Sequence, residues 1–487
     1  MLTDAGVPGS DDWWIVRMAG QMGNNLERME RLRSYRDGEA LLPDNAWDRG
    51  TRESYKRFVK RARLHVVETI RDSRTDRQKV TGFRTAAEGD ENGDELAWQH
   101  WLRSKMGFQS RLLFNDVADY GEAFLLTLPE ETENLPVFIR YNGWNAAVEV
   151  DPTQPWKTLA GITYGYDSTL EAEVVTLYRP GYYRFAIRES KTSSLPQDGT
   201  AWNMGTDWDL GPVQQTPWTT EAILRRMSTY DGYGVYEKHL DHIDRINEIT
   251  LNSLTLILMQ SFRQRGVKGN LPTHYPEGHP NAGEEIDYDE LFEAGPAALW
   301  MLPLGADIWE SQPTDIRPIY EARKDELQVL CSITRTPQDI FNGSSNNQSA
   351  LGAEISREPL KFAVENMNDM AAITFGDSMA DAFRITGDQT RGDAAQIESL
   401  FAKAVPATLA ERTEAAPKAK AGGAPQRWID TEVFEMSPTE RRQAEADRAT
   451  EAFQVALGSE VGLSTVGTGA SATTTDTAQA GTTDGGL

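Results

Sequence analysis

The sequence predicts an α+β fold, mainly helical. Three observations predict it: apolar residues recur at helical spacing in several long segments, a block of β-branched and aromatic runs lies between residues 120 and 190, and Gly-, Pro- and Ser-rich stretches separate these regions. The 487 residues suffice for a large core or several domains, and 39% hydrophobic content is ordinary for a globular protein.

Residues 1 to about 115 read as mostly helical, with Leu26, Met29 and Leu32 at helical spacing. The basic run Lys56-Arg57-Phe58-Val59-Lys60-Arg61-Ala62-Arg63 is diluted by Glu53 and Glu68 and reads as a solvated face. Three strands are expected, at 124–128, 137–141 and 174–178, on their β-branched and aromatic content. Arg179-Pro180-Gly181 then supplies a turn into the run 182–187, giving a β-hairpin. Residues 190–220 have loop composition.

Helical periodicity returns over 236–262, where Leu240, Ile243, Ile246, Leu251, Leu254 and Leu258 share one stripe. Residues 263–312 hold many Gly and Pro and read as a compact irregular or mixed module. A second helix follows over 315–334, with Pro318 in its first turn, where a missing N–H costs little. Asn342-Gly343-Ser344-Ser345-Asn346-Asn347-Gln348-Ser349 is small, polar and uncharged, and reads as an exposed loop. The next helix, 350–385, is expected to kink or break at Pro359. Residues 412–425 resemble a linker. Ser437-Pro438 starts a last helix with a capping serine and proline at its first position. Past Gly458 the composition collapses into Gly, Ser, Thr and Ala and reads as a disordered tail.

The formal net charge of −25 repels nucleic acid, whose affinity for proteins depends on Lys and Arg displacing counterions. It excludes an ordinary DNA-binding protein. A conduit for DNA is a different case, because a wall that gripped phosphates would stall transport. The single cysteine, Cys331, rules out an intrachain disulfide framework and any thiolate-rich metal cluster. Apolar runs such as 256–259 fall far short of the roughly 20 residues that span a bilayer, so no membrane partner is expected. No secretion signal is expected at the N-terminus, which has neither a basic nor an apolar leader region. No Gly-Lys pair is present, so the phosphate loop of a nucleotide-driven motor is missing. There is no His-Glu-x-x-His helix and no Gly-x-Ser-x-Gly elbow. His239 and His242 read as ordinary histidines, and Phe292 stands where a calcium loop beginning at Asp287 needs glycine. No metal, cofactor or catalytic residue is expected. One alternative is a Trp-rich acidic polysaccharide hydrolase, since the 13 tryptophans could stack on sugar rings. Core packing is the simpler account of them.

Four stretches then carry a resemblance. They are Asp119-Tyr120-Gly121-Glu122-Ala123-Phe124, the strand 174–178 with its hairpin, His242-Ile243-Asp244-Arg245-Ile246-Asn247, and Thr334-Arg335-Thr336-Pro337 followed by Asn346-Asn347-Gln348-Ser349-Ala350-Leu351. In this order and spacing they resemble portal proteins of tailed bacteriophages, particularly phages infecting actinobacteria. The resemblance implies a non-enzymatic, ring-forming subunit, usually one of twelve, at the capsid vertex of the virion, assembled in the host cytoplasm. Double-stranded DNA passes through the ring, and terminase, major capsid and scaffolding proteins and a head–tail adaptor are the implied partners. It also implies regions: wing 1–230, first stem helix 231–262, clip 263–312, second stem helix 313–335, tunnel loop 336–350, tunnel helix 351–386, and crown with C-terminal helices 387–458, followed by the tail 459–487. The DNA-facing tunnel loop holds Asn342, Gly343, Ser344, Ser345, Asn346, Asn347, Gln348 and Ser349. Arg263, Arg265 and Lys268 stand at the stem–clip junction, where they could touch DNA or a partner's acidic groups. Another capsid-associated adaptor is a further alternative.

Overall fold

The chain opens with α1 (Asp11–Arg36), capped by the Ser10 hydroxyl, which accepts from the Trp13 amide at 3.2 Å. Leu26, Met29 and Leu32 are all buried along it, as their spacing requires. The structure, a computed structural model, describes residues 2, 4–40, 59–87, 93–190, 208–261, 265–269, 271–288, 307–310, 315–342 and 350–463. They fall into two compact units, Met1–Pro406 and Ala407–Leu487. Helix and strand are mixed throughout the first, in an α+β arrangement.

After α1 come α2 (Val66–Thr75), β1 (Val80–Arg84), α3 (Glu95–Arg103) and α4 (Met106–Tyr120). Two sheets follow. The smaller has the order β10-β2-β3, with β2 (Glu122–Pro129), β3 (Pro136–Asn142) and β10 (Leu224–Ser228). The larger runs β4 (Ala146–Val150), β5 (Thr158–Asp167), β6 (Ala172–Arg179) and β7 (Tyr182–Glu189), and the short β8 (Asp209–Leu210) and β9 (Gln214–Gln215) both pair with β7. The expected hairpin is β6–β7, in register Arg179 to Tyr182, and Gly181 supplies the positive φ of 84° at its turn.

The period of two along a strand separates the layers. Ala147, Ile162, Val175 and Leu177 of the larger sheet pack against Ile15, Met18 and Met22 of α1. Their neighbours Ala146, Val148 and Tyr178 point to the opposite face and meet Phe124, Leu126 and Leu224 of the smaller sheet. That sheet's far face, through Ala123, Leu125 and Phe138, is covered by Trp101 of α3, by Phe114 and Val117 of α4, and by Phe375, Met379 and Phe383. Strand β2 is therefore buried on both faces, which explains its unbroken apolar run.

Helices α5 (Leu240–Ser261) and α6 (Arg317–Ile333) flank β11 (Arg265–Lys268) and β12 (Asp307–Glu310). Then come α7 (Gln338–Asn342), α8 (Ala350–Ile385), whose second half supplies Phe375 to Phe383, and β13 (Glu398–Phe401), which returns to pair antiparallel with β1. At the turn after α4, Gly121 has φ 83°, and a Cβ there would lie 2.2 Å from the Gly232 carbonyl oxygen. Only glycine allows the segment before α5 to close this tightly on the end of α4.

The second unit holds α9 (Leu409–Ala421) and α10 (Pro438–Leu463) around a short turn that runs into a π-helical stretch, Ile429–Val433. Asp430 is fully buried there and pairs with Arg448 at 2.7 Å. The expected serine cap of α10 is present: the Glu440 amide donates to the Ser437 hydroxyl at 3.3 Å, and the Ser437 amide to the Glu440 carboxylate at 2.8 Å.

Several expectations need correction. Residues 412–425 are not a linker, because α9 occupies most of them behind a capping box of Thr408 and Glu411. Helix α8 is not broken at Pro359. Residues 355–359 are exposed, so the Ile355 carbonyl that loses its helical donor can be solvated. The last helix continues to Leu463 rather than ending at Gly458, and residues 464–487 lie outside the described residues. The largely helical N-terminal region also contains β1, and β4 and β5 were not anticipated.

Candidate functional site: a helical hairpin and a cationic cleft

Near its N-terminus α5 is locked into the first unit. The Tyr35 hydroxyl donates to Asp244 at 2.6 Å, and the Leu64 amide donates to Asn247 at 2.9 Å. The His242 ring donates through Nε2 to the Glu326 carbonyl at 2.9 Å and accepts at Nδ1 from Arg245 at 2.5 Å. His242 begins α5 while Glu326 lies in the second half of α6. At the other end, Arg265 just past α5 pairs in register with Glu310 just before α6. The two helices therefore run antiparallel, joined at one end by the β11–β12 ribbon.

Along the single apolar stripe of α5 burial fades. Leu240, Ile243, Ile246 and Leu251 are buried, Leu254 is half-buried, and Leu258 is 45% exposed. On α6, Leu330 is buried beside the α5 stripe, while Val329 and Ile333 are 48% and 42% exposed. A groove of about 250 Å³ between Tyr320, Leu327, Cys331 and Phe341 lies open on α6. Burial raises the Cys331 thiol to about 11, so it is no nucleophile at neutral pH.

A second feature lies where α6 ends. A cleft of about 290 Å³ is lined by Arg74 of α2 and Gln78 just beyond it, by the segment 227–239, by Ile333 and Arg335, and by Met367 and Met370 of α8. Arg74 is nine-tenths buried, and its Nη2 donates to the Thr334 carbonyl at 2.5 Å. Among the described residues its Nε has no acceptor and no carboxylate lies within ion-pairing distance. Burial, with Arg335 nearby, lowers its pKa to about 10. Arg335 holds a left-handed backbone, φ 53°, between Thr334 and Thr336, whose hydroxyls bond each other at 3.1 Å. His239 faces the same space, and burial together with the Arg74 charge lowers its pKa.

No family model and no curated protein matches the chain. Solved structures do. A chain from the neck of an empty gene-transfer-agent (GTA) particle, computed with C6 symmetry, is 14% identical with a TM-score of 0.40, covering 77% of this chain and 95% of that one. One from the virion of a native GTA particle is 13% identical with a TM-score of 0.38, covering 81% and 94%. An HK97-family phage portal protein from Corynebacterium diphtheriae is 10% identical with a TM-score of 0.32, covering 70% and 96%. At these scores the likeness is a resemblance only.

Most of the residues singled out from the sequence lie outside the described residues. Asn342 ends α7, and residues 343–349 lie outside the described residues. Arg263 also lies outside them; Arg265 and Lys268 begin and end β11, and Lys268 is exposed. The cleft residues Arg74, His239 and Arg335 were not assigned to any site by the sequence, because the chain segments that converge on the cleft lie far apart in sequence. Of the tryptophans, Trp101 and Trp208 are buried in core clusters, and none lines this cleft. Among the described residues no group of ligands could hold a metal ion, and no helix is long and apolar enough to cross a membrane.

Proposed function

We propose that the chain is a portal-type subunit that assembles into a ring at a capsid vertex, the passage through which double-stranded DNA is packaged and ejected. The observation that carries this reading is the α5 stripe: apolar side chains buried at the helix's anchored end continue, uncovered, to Leu258, and Val329 and Ile333 are left exposed at the other end of the antiparallel pair, on α6. A two-helix hairpin cannot cover such a surface alone, and side-by-side copies can. A rotationally symmetric set of these hairpins encloses a channel. The sequence resemblance, including its leaning towards phages of actinobacteria, supports the same reading.

In this reading α5 and α6 are stem helices, residues 263–312 are the clip that docks terminase and later a head–tail adaptor, and α8 is the tunnel helix. The residues 336–350 before it face DNA. The subunit has no catalytic role, and it contacts capsid and scaffolding proteins in the virion. Twelve copies is the subunit number proposed. Electron microscopy of the purified protein tests the reading. Rings with a central hole are expected, with a particle mass that is a whole multiple of 54.3 kDa. A uniform monomer at all concentrations overturns it.

A further inference from the structure

The cleft at the end of α6 presents a charge imbalance that the described residues do not resolve. Arg74, Arg335 and Lys238 line it, and the one acid among its described lining residues, Asp231, is already held by Lys238. A buried guanidinium without a carboxylate is costly: removing a charge from water is offset only by a well-placed counter-charge. The left-handed backbone at Arg335, a non-glycine residue, is a strained conformation of the sort that persists at binding sites. The lip of the cleft is apolar and aromatic, with Tyr230 88% exposed and Ile333 42% exposed. Exposed aromatics around a buried arginine are the composition of a protein interface.

We propose that this cleft is an intersubunit socket: a side-chain carboxylate from a second copy of the chain enters it and pairs with Arg74, with Arg335 closing over it. The inference rests on the ring reading above. The occupant follows from charge and shape. With 74 acidic residues against 49 basic ones, any neighbouring copy presents carboxylates in excess. The cleft's roughly 290 Å³ fits a side chain. A nucleic-acid backbone needs an open track of several cations, whereas here the guanidinium sits at the back of a recess.

Zero-length cross-linking tests this. Rings are assembled from a mixture of isotopically heavy and light chains carrying R74K or, separately, R335K, and are treated with a carbodiimide, which joins an amine to a carboxylate in contact with it. Heavy–light peptide pairs joining position 74 or 335 to an aspartate or glutamate are expected. Rings of R335M, changed only at an exposed side chain, are expected to dissociate at lower salt than wild-type rings. Intact rings with no interchain link at either position, and an R335M salt midpoint equal to wild type, overturn the socket and leave the ring reading standing. Protection of these positions by inorganic phosphate or duplex DNA, with no interchain link, overturns it in favour of a phosphate site. A wild-type chain that never leaves the monomer removes the ring reading and the socket together.

Discussion

Asp119 lies at the end of α4, 3.4 Å from Arg71 and 3.8 Å from Arg36, with its carboxylate almost wholly buried. The pairing is asymmetric. Arg71, which also meets Asp72, is held more firmly charged, whereas burial outweighs both arginines at Asp119 and raises its pKa to about 6. Asp116, paired with Arg140 one turn earlier, is likewise raised by burial to about 6. A carboxyl whose folded pKa exceeds its unfolded value binds its proton more tightly when folded. Its stabilising contribution is therefore complete below about pH 4 and is lost as pH rises through about 6. Asp119→Asn removes that dependence while keeping a neutral hydrogen-bonding group. The stability difference between wild type and this variant should shift against wild type by about 1 kcal/mol from pH 5 to pH 7. Denaturant unfolding at the two pH values measures it, and parallel pH profiles contradict the assignment.

At the scale of elements, what was legible in the sequence is what local periodicity controls. The α1 positions Leu26, Met29 and Leu32, the α5 stripe and the β6–β7 turn at Pro180-Gly181 each declare their element within a few residues. Strands β1 and β13 do not, since each is short and its partner lies at the far end of the first unit. Strand β4 opens with Ala146 and Ala147 and holds only Val148 and Val150 as β-branched residues, too short a signal to mark a strand. In α9 the alanines and lysines are strong helix formers behind the Thr408–Glu411 capping box, and Pro417 with the flanking Gly422 and Gly423 is what gives the stretch a linker's composition. The cationic cleft was invisible for a different reason: its parts come from α2, the segment before α5, the end of α6 and the middle of α8, and only the tertiary fold joins them. Pro359 carries a prediction of its own. Because α8 runs through it, replacing it should restore a backbone hydrogen bond to the Ile355 carbonyl. Pro359→Ala is expected to raise stability by about 1 kcal/mol or more, with slower amide exchange over residues 355–363. A loss of stability, or unchanged exchange, shows that the helix depends on the proline.

For the whole molecule the decisive quantity is charge placement. A chain at −25 disfavours contact with DNA over most of its surface, so a passage built from its copies repels a duplex unless the lining is locally neutral. Residues 342–349, between α7 and α8, are the neutral segment in the position the ring reading needs: they carry hydroxyls and amides and no ionised side chain. Such groups offer weak, interchangeable hydrogen bonds to a moving phosphate backbone, while lysine or arginine there would hold it. Deleting residues 344–348 should leave rings intact in electron micrographs, because the apolar surfaces proposed to join copies lie on α5 and α6. The same deletion should lower the fraction of DNA-filled capsids in a packaging assay, or release DNA from filled capsids sooner. Asn346→Lys with Asn347→Lys tests the opposite defect, slower packaging that recovers as salt rises and screens the added charges. Filling and retention equal to wild type in the deletion, together with salt-independent packaging by the lysine variant, remove this segment from the DNA path and return it to a plain connection between helices.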